Sequence, residues 1–225
     1  ATESYTLCYT SAAPTLTGVI PYTVTAGGVQ TLTVSAENPL ILFNLRVSLQ
    51  WDARHDTQFL EQLYFDLQRT SALLYDWTDG QAALGSVTIY HDRERWDDAD
   101  VRIYATNRMR PNAAQGGIVE EVFTDPQHMT ITYAPGMVHI GAVWNRYGDP
   151  GGSLDEDWPR TLAHELGHYA FYLDDNYLGF DAQGMLIPVD GCTGAMSDPY
   201  REDHPYDEFH YAAGWLPQLF RRYNG

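Results

Sequence analysis

Two histidines and a glutamate stand close together near residue 165, in a pattern that could perform metal chemistry. Residues 164–168 are His-Glu-Leu-Gly-His. An α-helix turns about 100° per residue, so residues four apart lie on one face. His164 and His168 could then direct imidazole nitrogens at one ion, with the Glu165 carboxylate beside its open coordination position. Two neutral nitrogen ligands and an adjacent general base are what a zinc hydrolase needs.

The flanking sequence predicts the helix that this pattern requires. Acidic residues 155–157 precede Trp158 and Pro159, and acidic side chains with an early proline are typical of a helix start. An apolar stripe follows at three- and four-residue spacing: Leu162, Leu166, Tyr169 and Leu173. The alternative is a pair of core histidines that are hydrogen-bonded to the backbone, which would be the better interpretation of a single histidine but not of this motif on a helix.

A catalytic zinc ion also needs a third protein ligand, and Asp174 and Asp175 are the nearby candidates. In a continuous helix, Asp175 would lie about 10 Å along the axis from His168, too far to share an ion. We therefore predict that the helix ends near Tyr172 or Leu173 and that the chain doubles back. On geometry alone, either aspartate could be the third ligand.

A different arrangement draws the third ligand from a glutamate well downstream, as in thermolysin-like enzymes. Glu202 and Glu208 lie at such a distance along the chain. The simpler interpretation is that Glu202 belongs to a solvated charged run. Glu208 would then open the last helix near its positive end.

Residues 164–177 (HELGHYAFYLDDNY) and 191–200 (GCTGAMSDPY) together resemble the metzincin metallopeptidases. Within that clan, the chain most resembles the metallopeptidase domain of the calcium-activated chloride channel regulator family and its bacterial relatives. The resemblance implies that Asp175, eleven residues after the first histidine, is the third zinc ligand. It also implies that Tyr177 matches a family tyrosine and that Met196 is the methionine of a turn under the metal.

The chain departs from the metzincin pattern at the end of the zinc helix. Metzincins usually carry glycine there, whereas this chain has Phe171 and Tyr172 at the two positions concerned. A bulky residue in a left-handed turn costs about 1–2 kcal/mol, so we expect a turn of different construction. Asn176 stands where the family has glutamate. The commoner metzincin spacing of ten residues would choose Asp174 as the third ligand.

The rest of the chain predicts an α+β fold. By resemblance, this is a metzincin-like twisted mixed sheet packed on a long helix and on the zinc helix, with a small C-terminal subdomain. We divide the chain into a β-rich N-terminal segment, 1–42, packed on a metallopeptidase domain, 43–225. Periodicity predicts a helix over 55–76, strands over 43–51, 87–90, 101–105, 118–123 and 138–144, and a closing helix over 207–222. By analogy, a strand in 116–123 would be the exposed edge that pairs with substrate.

Composition limits the classes of partner. The 225 residues are 44% apolar and 13% aromatic, which indicates a packed globular protein. Thirteen basic and thirty acidic side chains give a net charge of −17, which argues against a nucleic-acid partner. No apolar run reaches the roughly 18 residues of a membrane span. We expect a monomer whose partner is a peptide or protein substrate.

Acidic runs raise the question of a second cofactor, Ca²⁺. Candidates are the run 149–157 and the cluster of Asp97, Asp98 and Asp100. The alternating oxygen spacing of a calcium loop is absent from both, so acidic turns are the simpler interpretation.

Cys8 and Cys192 are the two cysteines of the chain. We expect a secreted or cell-surface protein, in which they would form one disulfide between the N-terminal segment and the floor of the active site. The alternatives are two buried free thiols, or a Cys8 thiolate that occupies the open zinc position as a latency switch.

These features predict a zinc-dependent peptidase, with an endopeptidase as the expected type. Glu165 would act as general base toward the attacking water and pass the proton to the leaving amine. Tyr200 or Tyr177 could stabilise the oxyanion. The alternative from another class is a non-catalytic metzincin-like scaffold or adhesion domain of a surface protein, whose zinc holds the fold. Glu165 would be dispensable there, and a fourth ligand such as Cys8 or Cys192 would close the site.

Overall fold

The computed structural model describes residues 40–78, 80–106, 108–125, 128–147, 156–175, 178–180, 182–188, 194–200 and 209, with only the backbone described for 117–125, 128–134, 178–180, 186 and 188. The elements in chain order are β1 (Ile41–Leu49), α1 (Thr57–Trp77), β2 (Ala82–Tyr90), β3 (Val101–Tyr104), β4 (Asn112–Ala114), β5 (Gly117–Asp125), β6 (His128–Ala134), β7 (Met137–Gly141), α2 (Asp157–Phe171), β8 (Leu178–Phe180) and β9 (Leu186–Pro188). Almost all of segment 1–42, both cysteines and nearly all of the predicted closing helix lie outside the described residues.

Five strands form one mixed sheet in the order β2-β1-β3-β7-β4. The first four run parallel, and β4 runs antiparallel to β7 at the edge of the sheet. Buried aliphatic residues alternate along the central strands and share one face: Val47, Leu49, Val101, Ile103, Val138 and Ile140. Parallel strands need long crossover connections, so helices cover this face and remove its apolar surface from water.

Helix α1 connects β1 to β2 and belongs to the same core. Its first turn is capped by Asp56, whose carboxylate accepts a hydrogen bond from the Phe59 backbone N–H at 3.1 Å. Its buried positions recur at helical spacing: Leu63, Asp66, Leu67, Thr70, Leu73, Leu74 and Trp77. The Arg69 guanidinium pairs with Glu156, directly before α2. This pair ties the beginning of α2 to α1.

Asp66 is a buried carboxyl group within the apolar stripe of α1, with 9% of its surface exposed. Burial raises the pKa of Asp66 to about 6, although a hydrogen bond from the Gln62 amide at 2.9 Å opposes the rise. The pKa in the folded protein therefore exceeds the ordinary value of 3.8, and the folded state binds this proton more tightly. The contribution of Asp66 to stability falls as the pH rises from about 4 to about 6, and the loss persists at higher pH.

We expect Asp66→Asn to stabilise the protein by about 1–2 kcal/mol more at pH 7 than at pH 4, because the amide carries no charge to desolvate. A shift of two pKa units corresponds to about 3 kcal/mol, and partial access of water reduces that figure. Urea unfolding at both pH values measures the difference. Glu61→Gln, on the exposed face of the same helix, is the control and should show no such dependence. The prediction would be contradicted if the free energy of unfolding changed between pH 4 and pH 7 by the same amount in the wild type and in Asp66→Asn.

The α+β class is confirmed, since a mixed five-stranded sheet packs with two helices. The predicted helix over 55–76 corresponds to α1, and the predicted strands correspond to β1, β2, β3, β5 and β7 with shifted ends. The strand predicted to continue to Trp144 ends at Gly141, because residues 142 and 143 form a turn. Neither α1 nor α2 combines the length and hydropathy needed to cross a membrane.

The stretch predicted to supply the exposed edge that pairs with substrate, 116–123, lies largely in β5, which is not part of the main sheet. β5 pairs with β6 in a separate two-stranded sheet, and β4 is the antiparallel edge strand beside β7. The connection between β5 and β6 is short, so closing it costs little conformational entropy and favours this local pairing. Pairing of residues 116–123 with substrate stays a prediction.

Candidate metal centre

Helix α2 carries the candidate metal centre and is anchored to the sheet at its beginning. The Trp158 indole donates a hydrogen bond to the Gly141 carbonyl oxygen, at the end of β7, at 2.8 Å. His164 and Glu165 are buried, each with 7% of its surface exposed, and His168 lies one turn further along. The two histidines therefore project from the same side of a helix that is packed into the core.

The helix ends at Phe171, and the chain turns back at Tyr172, as the sequence predicted to within one residue. Tyr172 has left-handed backbone angles, φ 57° and ψ 32°, and its N–H bonds to the Gly167 carbonyl oxygen. The Leu173 N–H bonds to the same oxygen at 3.1 Å. A tyrosine thus adopts the conformation that favours glycine, at a cost of about 1–2 kcal/mol. The expectation of a differently built turn is wrong, because Tyr172 and Leu173 are buried and packing offsets the strain.

The turn brings the Asp175 carboxylate back to both imidazoles. Asp175 Oδ1 lies 3.3 Å from His164 Nε2 and 3.2 Å from His168 Nε2. One ligand atom from each residue lies within 4.8 Å of the others, so the three residues could hold a metal ion. Asp174 is exposed, lines the neighbouring cavity and does not belong to the group. Of the two candidate aspartates, the structure brings Asp175 to the histidines.

Backbone carbonyl groups hold both imidazoles in the tautomer that suits a metal ligand. His164 Nδ1 lies 2.8 Å from the Ala195 carbonyl oxygen, and His168 Nδ1 lies 2.6 Å from that of Leu173. A carbonyl oxygen only accepts, so each Nδ1 carries the proton and donates it. Each neutral imidazole then presents the Nε2 lone pair toward Asp175. Two lone pairs and a carboxylate oxygen at this distance repel one another unless a metal cation, or a proton on one imidazole, lies among them.

The pKa values of the cluster reflect its buried charge. Burial raises the pKa of Glu165, positive charge on His164 and His168 opposes the rise, and Asp175 adds to it. Burial alone would lower the pKa of His168, but its hydrogen bonds to Asp175 and to the Leu173 carbonyl oxygen outweigh this, and the pKa is raised. A carboxyl group with a raised pKa next to a candidate metal site is suited to proton transfer near neutral pH.

The turn over residues 194–197 packs against α2 beside the histidines. It supplies the Ala195 carbonyl group that fixes His164. Met196 is 2% exposed, and its sulfur would lie 2.7 Å from a Cβ atom at Gly167. The glycine inside the motif therefore allows the methionine to approach the helix. This role of Gly167 was not predicted, although a glycine within a helix is a sign of close approach.

A cavity of about 1170 Å³ opens beside the three ligand residues. Residues 110–113, which lead into and form most of β4, contribute to its lining. The segments 144–146 and 197–200 also contribute residues, together with His164, Glu165 and His168 from α2. The candidate metal centre is therefore accessible from a space large enough for several residues of a peptide.

Tyr200 lines this cavity, but its hydroxyl hydrogen is already engaged. The hydroxyl oxygen lies 2.7 Å from Thr161 Oγ1, and Thr161 Oγ1 lies 2.6 Å from the Asp157 carbonyl oxygen. Thr161 must donate to that carbonyl group, so it accepts from Tyr200. Burial also raises the pKa of Tyr200, which keeps the phenol protonated. The predicted oxyanion role would require this hydrogen bond to break, and Tyr177 lies outside the described residues.

Trp144, Arg146 and Tyr200 form a stacked wall at the part of the cavity next to the start of α2. The Trp144 and Tyr200 rings are 6.0 Å apart between centroids and inclined by 30°, and the Arg146 guanidinium lies 4.9 Å from the Tyr200 ring. Asp157 holds Arg146 in place. Its carboxylate accepts a hydrogen bond from the Arg146 backbone N–H at 3.0 Å and lies 3.4 Å from the Nε atom of the same arginine. No local pattern in the sequence marks Trp144 or Arg146 as site residues, so neither was predicted.

In the acidic cluster that was a candidate for Ca²⁺ binding, Asp98 and Asp100 bind side-chain and backbone groups of the protein. Asp98 pairs with Arg46 at 2.9 Å and also with Arg95. Asp100 accepts hydrogen bonds from the Arg46 backbone N–H and from the Tyr169 hydroxyl, each at 2.6 Å. These contacts favour a structural role for the cluster over calcium binding.

Several residues that the sequence predicted to be part of the site are not among the described residues. Cys8, Cys192, Glu202, Glu208 and residues 149–155 lie outside the described residues. The disulfide, the thiol alternatives, the downstream third ligand and the acidic run stay predictions.

Comparison with known proteins yields no match, either among family models, among curated proteins or among solved structures. The fold and the site themselves define an α+β protein in which two histidines of one helix and an aspartate beyond its end could hold a metal ion.

Proposed function

We propose that this chain is a metzincin-like, zinc-dependent peptidase that cleaves within peptide or protein chains. The observation that supports this most is the meeting of Asp175 Oδ1 with the Nε2 atoms of His164 and His168, at 3.3 and 3.2 Å. Glu165 lies buried between the two histidines in sequence, in the place where a general base would act.

The distances from Asp175 to the two imidazoles suit a tetrahedral zinc ion. Zinc binds imidazole nitrogen at about 2.0–2.1 Å and carboxylate oxygen at about 2.0–2.2 Å, so neighbouring ligand atoms of a tetrahedron are about 3.3–3.5 Å apart. The separations of 3.2 and 3.3 Å agree with this value. A set of two imidazoles and one carboxylate also favours zinc over magnesium and calcium, which prefer oxygen ligands.

The number of ligands favours a catalytic over a structural site. Catalytic zinc sites have three protein ligands and an open position, whereas structural sites have four. Among the described residues, no further His, Cys, Asp or Glu joins the group, and the cavity opens beside it. A scaffold domain would also have no use for the buried Glu165 carboxyl with its raised pKa.

The chemistry divides between the ion and the chain. A bound zinc ion would supply a Lewis acid that polarises the scissile carbonyl group and makes a water molecule acidic. Glu165 accepts the proton of the attacking water and passes it to the leaving amine nitrogen. The buried position of Glu165 beside the ligand residues suits both proton transfers. The carbonyl groups of Ala195 and Leu173 keep both imidazoles oriented.

Strand β4 offers a binding edge for the peptide backbone. It pairs with β7 on one side and is the last strand of the main sheet. Residues 110–113 line the cavity that contains Glu165. An extended peptide can add to such an edge through backbone hydrogen bonds. We therefore assign substrate pairing to β4 in place of residues 116–123.

Metal removal tests the proposal directly. We expect the purified protein to contain one zinc ion per chain and to hydrolyse casein, to lose this activity with 1,10-phenanthroline, and to regain it when zinc is added back. Elemental analysis and release of soluble peptides measure the two properties. Casein hydrolysis that persists after all zinc has been removed would contradict the proposal, as would a zinc-loaded protein without any activity on casein or on itself.

A further inference from the structure

We propose that the stacked wall of Trp144, Arg146 and Tyr200 binds a carboxylate group of the substrate, and that Arg146 recognises it. This inference rests on the proposed peptidase function and adds a substrate class to it. The carboxylate would belong either to an acidic side chain near the scissile bond or to the C-terminus of the peptide.

Arg146 is held in place before any ligand arrives. Asp157 is almost fully buried, with 4% of its side chain exposed, and it contacts both the backbone N–H and Nε of Arg146. The Tyr200 ring supports the flat side of the guanidinium at 4.9 Å. An arginine that is already ordered loses little conformational entropy when it binds a ligand.

The terminal nitrogens of Arg146 retain donors for a ligand. Asp157 contacts Nε, and in the part of the chain that the structure describes neither terminal nitrogen forms a hydrogen bond. The side chain is 39% exposed and lines the cavity. Its planar fork of N–H groups matches the two oxygens of a carboxylate.

The stacked wall lies within reach of the candidate metal centre. Tyr200 bonds to Thr161, which precedes His164 by three residues, about 4.5 Å along the helix axis. A carboxylate on Arg146 would therefore belong to a residue at or next to the scissile bond. Asp174, in contrast, follows the opposite end of α2. The nearer acid, Asp198, accepts a hydrogen bond from the Tyr200 backbone N–H at 3.0 Å.

Arg110 is the other arginine of the cavity and the main rival. It is exposed, and its guanidinium forms no hydrogen bond or ion pair with any described residue. Its charge is close enough to Glu165 to lower the pKa of that group slightly against the effect of burial. Because nothing described holds Arg110 in position, it would lose more entropy on binding than Arg146.

The experiment compares the binding of paired peptides to zinc-loaded protein that carries Glu165→Gln, so that neither peptide is consumed. The pair is N-acetylated and C-terminally amidated, and differs only by glutamate or glutamine beside the expected cleavage point. We expect the glutamate peptide to bind about tenfold more tightly in calorimetry. Arg146→Gln should equalise the two affinities, whereas Arg110→Gln and the exposed control Arg108→Gln should preserve the difference. A third peptide, neutral with a free C-terminal carboxylate, distinguishes the source of the carboxylate.

Arg146→Gln removes the guanidinium beside the buried Asp157 charge, so the double variant Arg146→Gln/Asp157→Asn provides a neutral pair. Loss of the preference in the folded double variant supports the inference. Equal binding of all three peptides to the parent protein would overturn it, and so would a preference that survives Arg146→Gln or that vanishes with Arg110→Gln. Hydrolysis by the protein with Glu165 intact is measured separately. A failure of the peptidase proposal is therefore distinct from a failure of carboxylate recognition.

Discussion

Replacement of Glu165 by glutamine should lower kcat/KM for peptide hydrolysis by about 100- to 10 000-fold, the range that a general base contributes. The amide keeps the shape and burial of the carboxyl group but cannot accept a proton at working pH. Zinc content should not change, because Glu165 is not one of the three residues that could hold the ion. Fluorogenic peptide cleavage and elemental analysis of the same sample measure the two properties.

The control for this change is Glu94→Gln, which alters an exposed side chain far from the motif in sequence. It should retain both activity and zinc. If Glu165→Gln retained full activity, another group would have to carry the proton, and the assignment of the general base would be wrong. If Glu165→Gln lost zinc as well as activity, the glutamate would hold the centre together, and its loss would not report on proton transfer.

The part of the site that sequence predicted depends on local geometry. The four-residue spacing of His164 and His168 places them on one face of any helix, whatever surrounds it. The doubling back of the chain after the helix also followed from distances, because a continuous helix would carry Asp175 away from His168. The choice of Asp175 over Asp174 came from the family resemblance, and the structure places the same residue beside the histidines.

The part that sequence did not predict depends on contacts between distant segments. Tyr200 meets Arg146 and Trp144 across more than fifty residues of chain, and no periodicity marks such a meeting. Strand β4 has three residues, too few for an alternating pattern, so its position at the sheet edge follows only from its pairing with β7. The next strand, β5, has a clear strand pattern in its sequence. That pattern would be the same in the main sheet and in a hairpin, so it does not indicate which of the two the strand joins.

Replacement of Asp175 by asparagine should weaken zinc binding by about 100-fold or more, since loss of a hydrogen-bonding partner of a ligand alone costs about 10- to 100-fold. Asparagine keeps the size of the side chain but removes the charge that faces both imidazoles at 3.2–3.3 Å. At a zinc concentration of 100 times the wild-type Kd, zinc stabilises the wild type by about 2.7 kcal/mol, and a 100-fold weaker site retains about 0.4 kcal/mol. Unfolding with and without zinc measures both values.

Asp174→Asn is the matched control, because it removes the same charge one residue earlier from a side chain that is exposed and outside the ligand group. It should retain nearly all of the stabilisation by zinc. Asp175→His should restore much of the binding with a third imidazole, and because that ligand is neutral the ion keeps more of its charge. The acid limb of the pH–rate profile should then move to lower pH. If Asp174→Asn abolished zinc binding and Asp175→Asn did not, the turn at Tyr172 would present the other aspartate to the ion.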